Sequence, residues 1–341
     1  MKKFPSYIVL FFLFSFGLLS SVNPVEFPSH FPPTVYDLSN NKLNEKSIEL
    51  GRLLFYDPIL SSDNTISCAS CHSPYNAFAH SDHKVSHGIG DSVGTRNAPG
   101  LFNLAWHSDF QWDGSVNHLD VQPLAPIEDS REMGENFKNV IEKLSESSFY
   151  KKKFKSAFGK KITGELMLKA MSQFQLSLVS ANSRFDKFIT GEVEFTKQEL
   201  QGYELFKSHC NACHTAPLFT NLEFENNGLE PDSVYKDWGK YKITNMPEDS
   251  LKFKVPSLRN LAYTKPYMHD GRFNSIRQVL NHYESGIQTS TTLNALLDGG
   301  ILLSDDEKTD LTAFLKTLND KEFVFNPSNQ FPQELKNQLL K

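Results

Sequence analysis

At 341 residues the chain is long enough for two domains of ordinary size, and 39% hydrophobic with 22% charged residues is the balance of a soluble globular protein. A formal charge of −5 gives no reason to expect nucleic acid as a partner.

The amino terminus differs in kind from the rest. Lys2 and Lys3 precede an apolar run from Ile8 to Leu19, and Ser20 and Ser21 follow it. This reads as a secretory signal peptide over residues 1–22, too short for a comfortable membrane span. Export to the periplasm is the expectation. No cysteine follows the run, so a lipid anchor is not expected there.

Pro24 to Pro33 reads as an extended lead-in. Asn41 to Tyr56 reads as a helix with Leu43, Ile48, Leu50, Leu53 and Leu54 on its apolar face, stopped by Asp57-Pro58. A Ser/Asp/Asn-rich loop follows, then a glycine-bearing loop with His80, His83 and His87. Asn136–Ser145, Phe149–Phe158 and Leu166–Ser183 are predicted helices. Thr196–Phe206 is another, opened by a capping box between Thr196 and Glu199. Ser275–Tyr283 and Ser304–Leu318 complete the set, the last with Asp305, Asp306 and Glu307 near its amino end. The prediction is a mostly α protein with long irregular loops.

Two five-residue stretches organise the chain: Cys68-Ala69-Ser70-Cys71-His72 and Cys210-Asn211-Ala212-Cys213-His214. C-x-x-C-H is the attachment signature of a c-type haem. The thiols add to the haem vinyl groups, and the histidine offers its imidazole to the iron. The two stretches use all four cysteines, leaving none for a disulfide or a catalytic thiol. Paired C-x-x-C motifs also build zinc ribbons, but at separations of about 15–20 residues, and these two lie much farther apart. A dithiol redox pair has no use for the histidine. Two covalent haem c groups are therefore expected, and 28 phenylalanines suit a protein that wraps large apolar macrocycles.

The chain also repeats itself. Ala98-Pro-Gly-Leu-Phe-Asn-Leu-Ala-Trp106 aligns with Val255-Pro-Ser-Leu-Arg-Asn-Leu-Ala-Tyr263, and the register holds without a gap to Trp112-Asp113-Gly114 against His269-Asp270-Gly271. Each copy follows a C-x-x-C-H. The reading is two homologous class I cytochrome c-like haem domains, over residues 34–190 and 191–341. The copies differ where Trp112 meets His269. After Trp112 come Gln122 and Glu132. A carboxylate and an amide beside a haem with an open face are what peroxide cleavage needs. The plainer alternative makes Glu132 a surface carboxylate or a helix cap ahead of Phe137.

The chain resembles the bacterial di-haem cytochrome c peroxidases and their MauG-type relatives, from about Glu49 through Tyr283. The resemblance rests on Leu54-Phe55, Arg96-Asn97-Ala98-Pro99 and Trp112-Asp113-Gly114. It rests equally on Val255-Pro256-Ser257-Leu258-Arg259-Asn260 and Pro266-Tyr267-Met268-His269-Asp270-Gly271. It implies a peroxide site at the amino-terminal haem and an electron-transfer site at the carboxy-terminal one. Gln122 and Glu132 fall at the family's distal glutamine and catalytic glutamate, and Trp112 at the tryptophan between the haems. A calcium ion between the domains would map to Asn97, Thr264 and Pro266, oxygen donors that suit a hard cation. Hydrogen peroxide and a small donor, a cytochrome c or cupredoxin, are the implied partners. Dimers are common among such relatives, so a homodimer is possible.

Two departures affect the far side of each iron. The histidine loop before Asn97 differs in length from the family pattern. His87 is the expected distal ligand of the first haem, with His80 and His83 as alternatives. At the second haem, many members place methionine, which raises the potential. Here the position falls on Tyr283, as in MauG-type proteins, with Met268, Met246 and His282 as alternatives. The implied activity is peroxide reduction. A MauG-like oxidase acting on a protein or organic substrate, and a non-catalytic carrier or sensor, are the rivals.

Overall fold

The structure is a computed structural model and describes residues 24–81 and 83–340. The expected signal peptide lies outside the described residues. Polar caps set the helix starts by taking backbone N–H groups that have no partner inside the helix. Asn44 accepts from the Ser47 N–H (2.9 Å) and opens Glu45–Tyr56, later than the expected Asn41. Asn136 accepts from the Lys138 N–H (2.9 Å) and opens Phe137–Glu146. Ser148–Phe158 ends at Gly159, whose φ of 67° is the left-handed region glycine adopts freely. Thr196 with Glu199, and Ser304 with Glu307, form capping boxes that open Lys197–His209 and Asp305–Lys316.

The expected Leu166–Ser183 helix needs correction. The helix runs Gly164–Ser177 and stops, because the loop around Asn103 captures the next turn. The Asn103 N–H donates to the Leu178 carbonyl (2.9 Å), and its Oδ1 accepts from the Ser180 N–H (2.8 Å). A separate short helix, Arg184–Ile189, follows. Such a long-range competitor leaves no mark in local periodicity.

Two apolar clusters hold the chain together. In one, Glu45–Tyr56 packs on Gly164–Ser177, with Leu53, Leu54 and Phe174 almost fully buried. In the other, Lys197–His209 packs on Asp305–Lys316 around Phe206 and Phe314. Burying a side chain of this size contributes roughly 1.5–3 kcal/mol. Both helix pairs meet at a glycine. A Cβ on Gly51 would lie 2.0 Å from the Ala170 carbonyl oxygen, and one on Gly202 would lie 2.0 Å from that of Asp310.

Regular sheet is limited to two residues each of Phe224–Glu225 and Phe253–Lys254, antiparallel, with Phe224 opposite Lys254. The sequence repeat has a geometric counterpart. Phe110 bridges Val116 as Tyr267 bridges Phe273. Asn103 and Asn260 share a left-handed backbone at φ 58° and 64°, as do Gln111 and Met268 at 68° and 74°. The halves join through reciprocal bonds: the Asn97 N–H donates to the His269 carbonyl (2.7 Å), and the Lys254 N–H to the Trp112 carbonyl (2.8 Å). Arg96 adds ion pairs to Asp113 and Asp237, each at 2.6 Å. Arg259, fully buried, makes a two-pronged pair with Asp186 at 2.8 and 2.7 Å.

Candidate functional site

One cavity of about 830 Å³ runs between the halves and is lined by both histidines of the C-x-x-C-H stretches. Cys68–Cys71 forms a single helical turn, and His72 caps it. The His72 Nδ1–H donates to the Phe78 carbonyl at 2.7 Å. His214 Nδ1 has the Phe219 and Pro256 carbonyls at 3.2 and 3.1 Å. With the proton held on Nδ1, each Nε2 keeps its lone pair for a metal. Burial draws both imidazoles down to about 4, so both are neutral ligands at physiological pH. Burial also pushes Cys68 and Cys210 up to about 12, keeping them as thiols. Neutral imidazole, paired thiols and walls that include Leu101, Phe102, Leu258 and Leu311 fit a covalently held haem at each stretch.

Gln122, Pro126 and Glu132 line the same cavity as Cys71 and His72. Gln122 follows a 3₁₀ turn, Leu119–Val121, and Glu132 lies on the loop after Leu124–Glu128, so two short helical turns aim them together. Glu132 is held by its backbone: its N–H donates to the Asp129 carbonyl (3.0 Å), and its carbonyl accepts from the Ile89 N–H (2.8 Å). Burial, and then the Asp129 charge, raise its carboxyl above the usual range. Arg131 does not neutralise it directly, because its guanidinium is engaged on Asp129 at 3.1 and 2.7 Å. Trp112 also lines the cavity, and its indole N–H donates to the Asn97 carbonyl (2.8 Å).

The histidine loop sits differently from the expectation. His80, His83 and His87 are absent from the cavity wall, to which their loop contributes Ser86, Gly94 and Thr95. His87 Nδ1 lies 2.6 Å from Asp91, its side chain 40% exposed; the His83 ring stacks on His80 and meets His87 at a tilt of 50°. In this conformation His87 does not face the first haem position.

On the second side the choice narrows. Ile276–Asn281 is α-helical, and His282–Gly286 continues as a π turn, a form common at functional sites, which turns Tyr283 into the cavity. Burial pushes the Tyr283 phenol up to about 12; an Asn227 hydrogen bond opposes the shift, and Cys210 and Cys213 add to it. Met268 lines the cavity too, its sulfur 3.5 Å from Asn227 Nδ2. His282 points elsewhere, to the Asn227 carbonyl (3.0 Å), and Met246 is 53% exposed outside the cavity. Asn227, which touches all three neighbours, carried no signal in the sequence.

Asn97, Thr264 and Pro266 all border the cavity. Among the described residues no three His, Cys, Asp or Glu side chains are grouped to hold a metal ion. The Asn97 trio contains none of those residue types. Lys254 and His107, which no sequence motif marks, also line the wall.

A family model described as di-haem cytochrome c peroxidase matches residues 45–194. The methylamine utilization protein MauG of Methylorubrum extorquens is 34% identical over 300 residues, covering 84% of this chain and 82% of the relative. The chain belongs to the di-haem cytochrome c peroxidase family. Another relative, the cytochrome c551 peroxidase of Nitrosomonas europaea, is 33% identical over 298 residues, with 84% and 85% covered. Among solved structures, a MauG-like protein associated with microbial copper homeostasis superposes with a TM-score of 0.83 at 31% identity. That match covers 90% of this chain and 98% of the other. Membership in this family implies haem c at the two C-x-x-C-H stretches.

Proposed function

We propose that this protein is an exported di-haem peroxidase that reduces hydrogen peroxide to water with electrons from a small cytochrome c or cupredoxin. The observation that carries the reading is that Glu132 and Gln122 face the same cavity as Cys71 and His72. A haem bound there supplies the iron for peroxide and the route for electrons. Glu132, its carboxyl raised by burial, would take a proton from one peroxide oxygen and return it to the other. Gln122 is a neutral donor that holds the peroxide in place. Two electrons and two protons convert each peroxide to two waters. Trp112, at the junction of the halves, is the stepping point for electrons arriving through the His214 side.

The recurring geometry supports two homologous class I cytochrome c-like domains, residues 34–190 and 191–341. The amide and carbonyl oxygens of Asn97, Thr264 and Pro266 support a calcium ion at their junction. No helix among the described residues is long and apolar enough to cross a membrane, and the expected leader supports a periplasmic location. Haem counting per chain, followed by peroxide-dependent oxidation of a reduced cytochrome c or cupredoxin, tests the reading. Two haems with no donor oxidation would refute it.

Tyr283 favours a second reading, a MauG-like oxidase driven by peroxide. If Tyr283 held the iron of a haem attached at Cys210–His214, its phenolate would favour higher oxidation states and lower the potential. A redox titration followed by spectroscopy separates the two. A methionine-ligated, high-potential second haem removes the oxidase, and a low-potential tyrosinate favours it.

A further inference from the structure

The register that pairs Ala98 with Val255 also pairs Asn97 with Lys254, His107 with Thr264 and Asp109 with Pro266. The calcium trio Asn97, Thr264 and Pro266 therefore has a mirror trio: Lys254, His107 and Asp109. The structure brings the mirror trio together. Lys254 Nζ donates to His107 Nδ1 at 2.9 Å and to the Asp109 backbone carbonyl. The backbone is mirrored in the same sense, since Asn97 bonds His269 while Lys254 bonds its register mate Trp112.

We propose that the Lys254 ammonium is a tethered cation, standing in one half of the junction where the other half takes a calcium ion. The junction is then built for two positive centres, one exchangeable and one permanent. This rests on the calcium reading of Asn97, Thr264 and Pro266.

The surroundings of Lys254 are those of a resident ion rather than a surface lysine. It is 8% exposed, and Phe110 lies beside its ammonium at 5.6 Å. Its hydrogen-bond acceptors are a ring nitrogen and a carbonyl oxygen, both neutral. Burial and the Lys254 charge hold His107 well below its usual range, so the imidazole stays uncharged. Burial draws Lys254 itself down to about 8, which leaves it charged at neutral pH. Among the described residues no carboxylate forms an ion pair with it, and the Asp109 carboxylate accepts from the Ser108 hydroxyl. The Asp109 charge favours the ammonium only from a distance, outweighed by burial, and a buried cation balanced so weakly is costly. The haem carboxylates that the family brings to this cavity are anions of the kind needed to balance it.

The sign of one substitution tests this in the haem-loaded protein. If Lys254 balances anions at the junction, Lys254→Met lowers the melting temperature by roughly 5–10 °C, and Lys254→Arg stays near the parent. If it is only an uncompensated buried charge, Lys254→Met melts at or above the parent temperature, and the proposal fails. Lys254→Asn copies the residue found in the other half. Its stability is expected to be restored by millimolar calcium where that of Lys254→Met is not, and equal insensitivity of the two overturns the proposal. Calcium content of the unmodified protein checks the underlying reading separately. One ion per chain removable by chelator supports it, and none removes the basis of the comparison.

Discussion

Replacing Glu132 by Gln keeps the shape of the cavity wall and deletes the proposed base. A positioned acid–base group contributes about 10²–10⁴-fold, which is about 2.7–5.4 kcal/mol at 1.36 kcal/mol per tenfold. The structure argues for a loss within that range rather than a partial rescue. The wall carboxylate that acts on Glu132, Asp129, is clamped by Arg131, whose hydrogen bond holds it below the usual range and makes it a weak base. In the proposed mechanism Gln122 still holds the peroxide, so the loss is expected on kcat more than on KM. Glu132 must be ionised to accept a proton, and its pKa is raised. The acid limb of the unmodified enzyme therefore lies above the usual glutamate value of about 4.3. Asp129→Asn removes a neighbouring negative charge and frees Arg131, so both effects lower the Glu132 pKa and move that limb to lower pH. Initial rates of donor oxidation across pH, on protein with both haems counted, measure this. A Glu132→Gln rate within about tenfold of the parent, or a limb that moves upward in Asp129→Asn, would refute the reasoning.

Other outcomes follow from packing and charge. Gly51→Ala and Gly202→Ala each drive a methyl into a backbone carbonyl 2.0 Å away. Overpacking of about 1–3 kcal/mol exceeds the gain of about 1 kcal/mol in helix propensity, so both variants melt lower, and an unchanged melt in either would contradict the close approach. Asp186→Ala strands the buried Arg259 guanidinium and costs about 3–5 kcal/mol. Burial alone would raise the Asp186 carboxyl, but the Arg259 hydrogen bonds and charge outweigh it and the folded pKa is depressed. Its contribution is thus present above the unfolded pKa of about 3.9 and lost as pH falls through the folded value. Urea unfolding of parent and variant at neutral and acid pH should show the gap closing in acid. Tyr283→Phe is expected to alter the ferric spectrum of the His214 haem while Met268→Leu leaves it intact, and the reverse pattern would transfer the ligand role to Met268.

The strongest features of this chain were legible one residue at a time. Haem attachment needs two thiols and an imidazole at a fixed short spacing, so Cys68–His72 and Cys210–His214 declare it without help from distant parts. Helix starts were legible for the same reason: Asn136, Thr196 and Ser304 cap the backbone within three residues of themselves. The repeat was visible because Ala98–Gly114 and Val255–Gly271 keep one register, and Gln122 and Glu132, singled out by their distance from Trp112, both line the cavity. What escaped depends on groups far apart in the chain. The helix after Gly164 stops at Ser177 because Asn103 takes its next backbone groups, and no local pattern records that rival. Among Tyr283, Met268, Met246 and His282, only the π turn and the cavity wall decide which face inward. His87 was equally plausible by position, yet its loop carries it out to Asp91. Lys254 gave no sign beside Val255 and Pro256; only folding sets its ammonium against His107 and Asp109. Sequence by itself determines what short-range covalent and hydrogen-bond geometry dictates, and tertiary structure decides which side chains converge, because convergence is set by how the two halves pack.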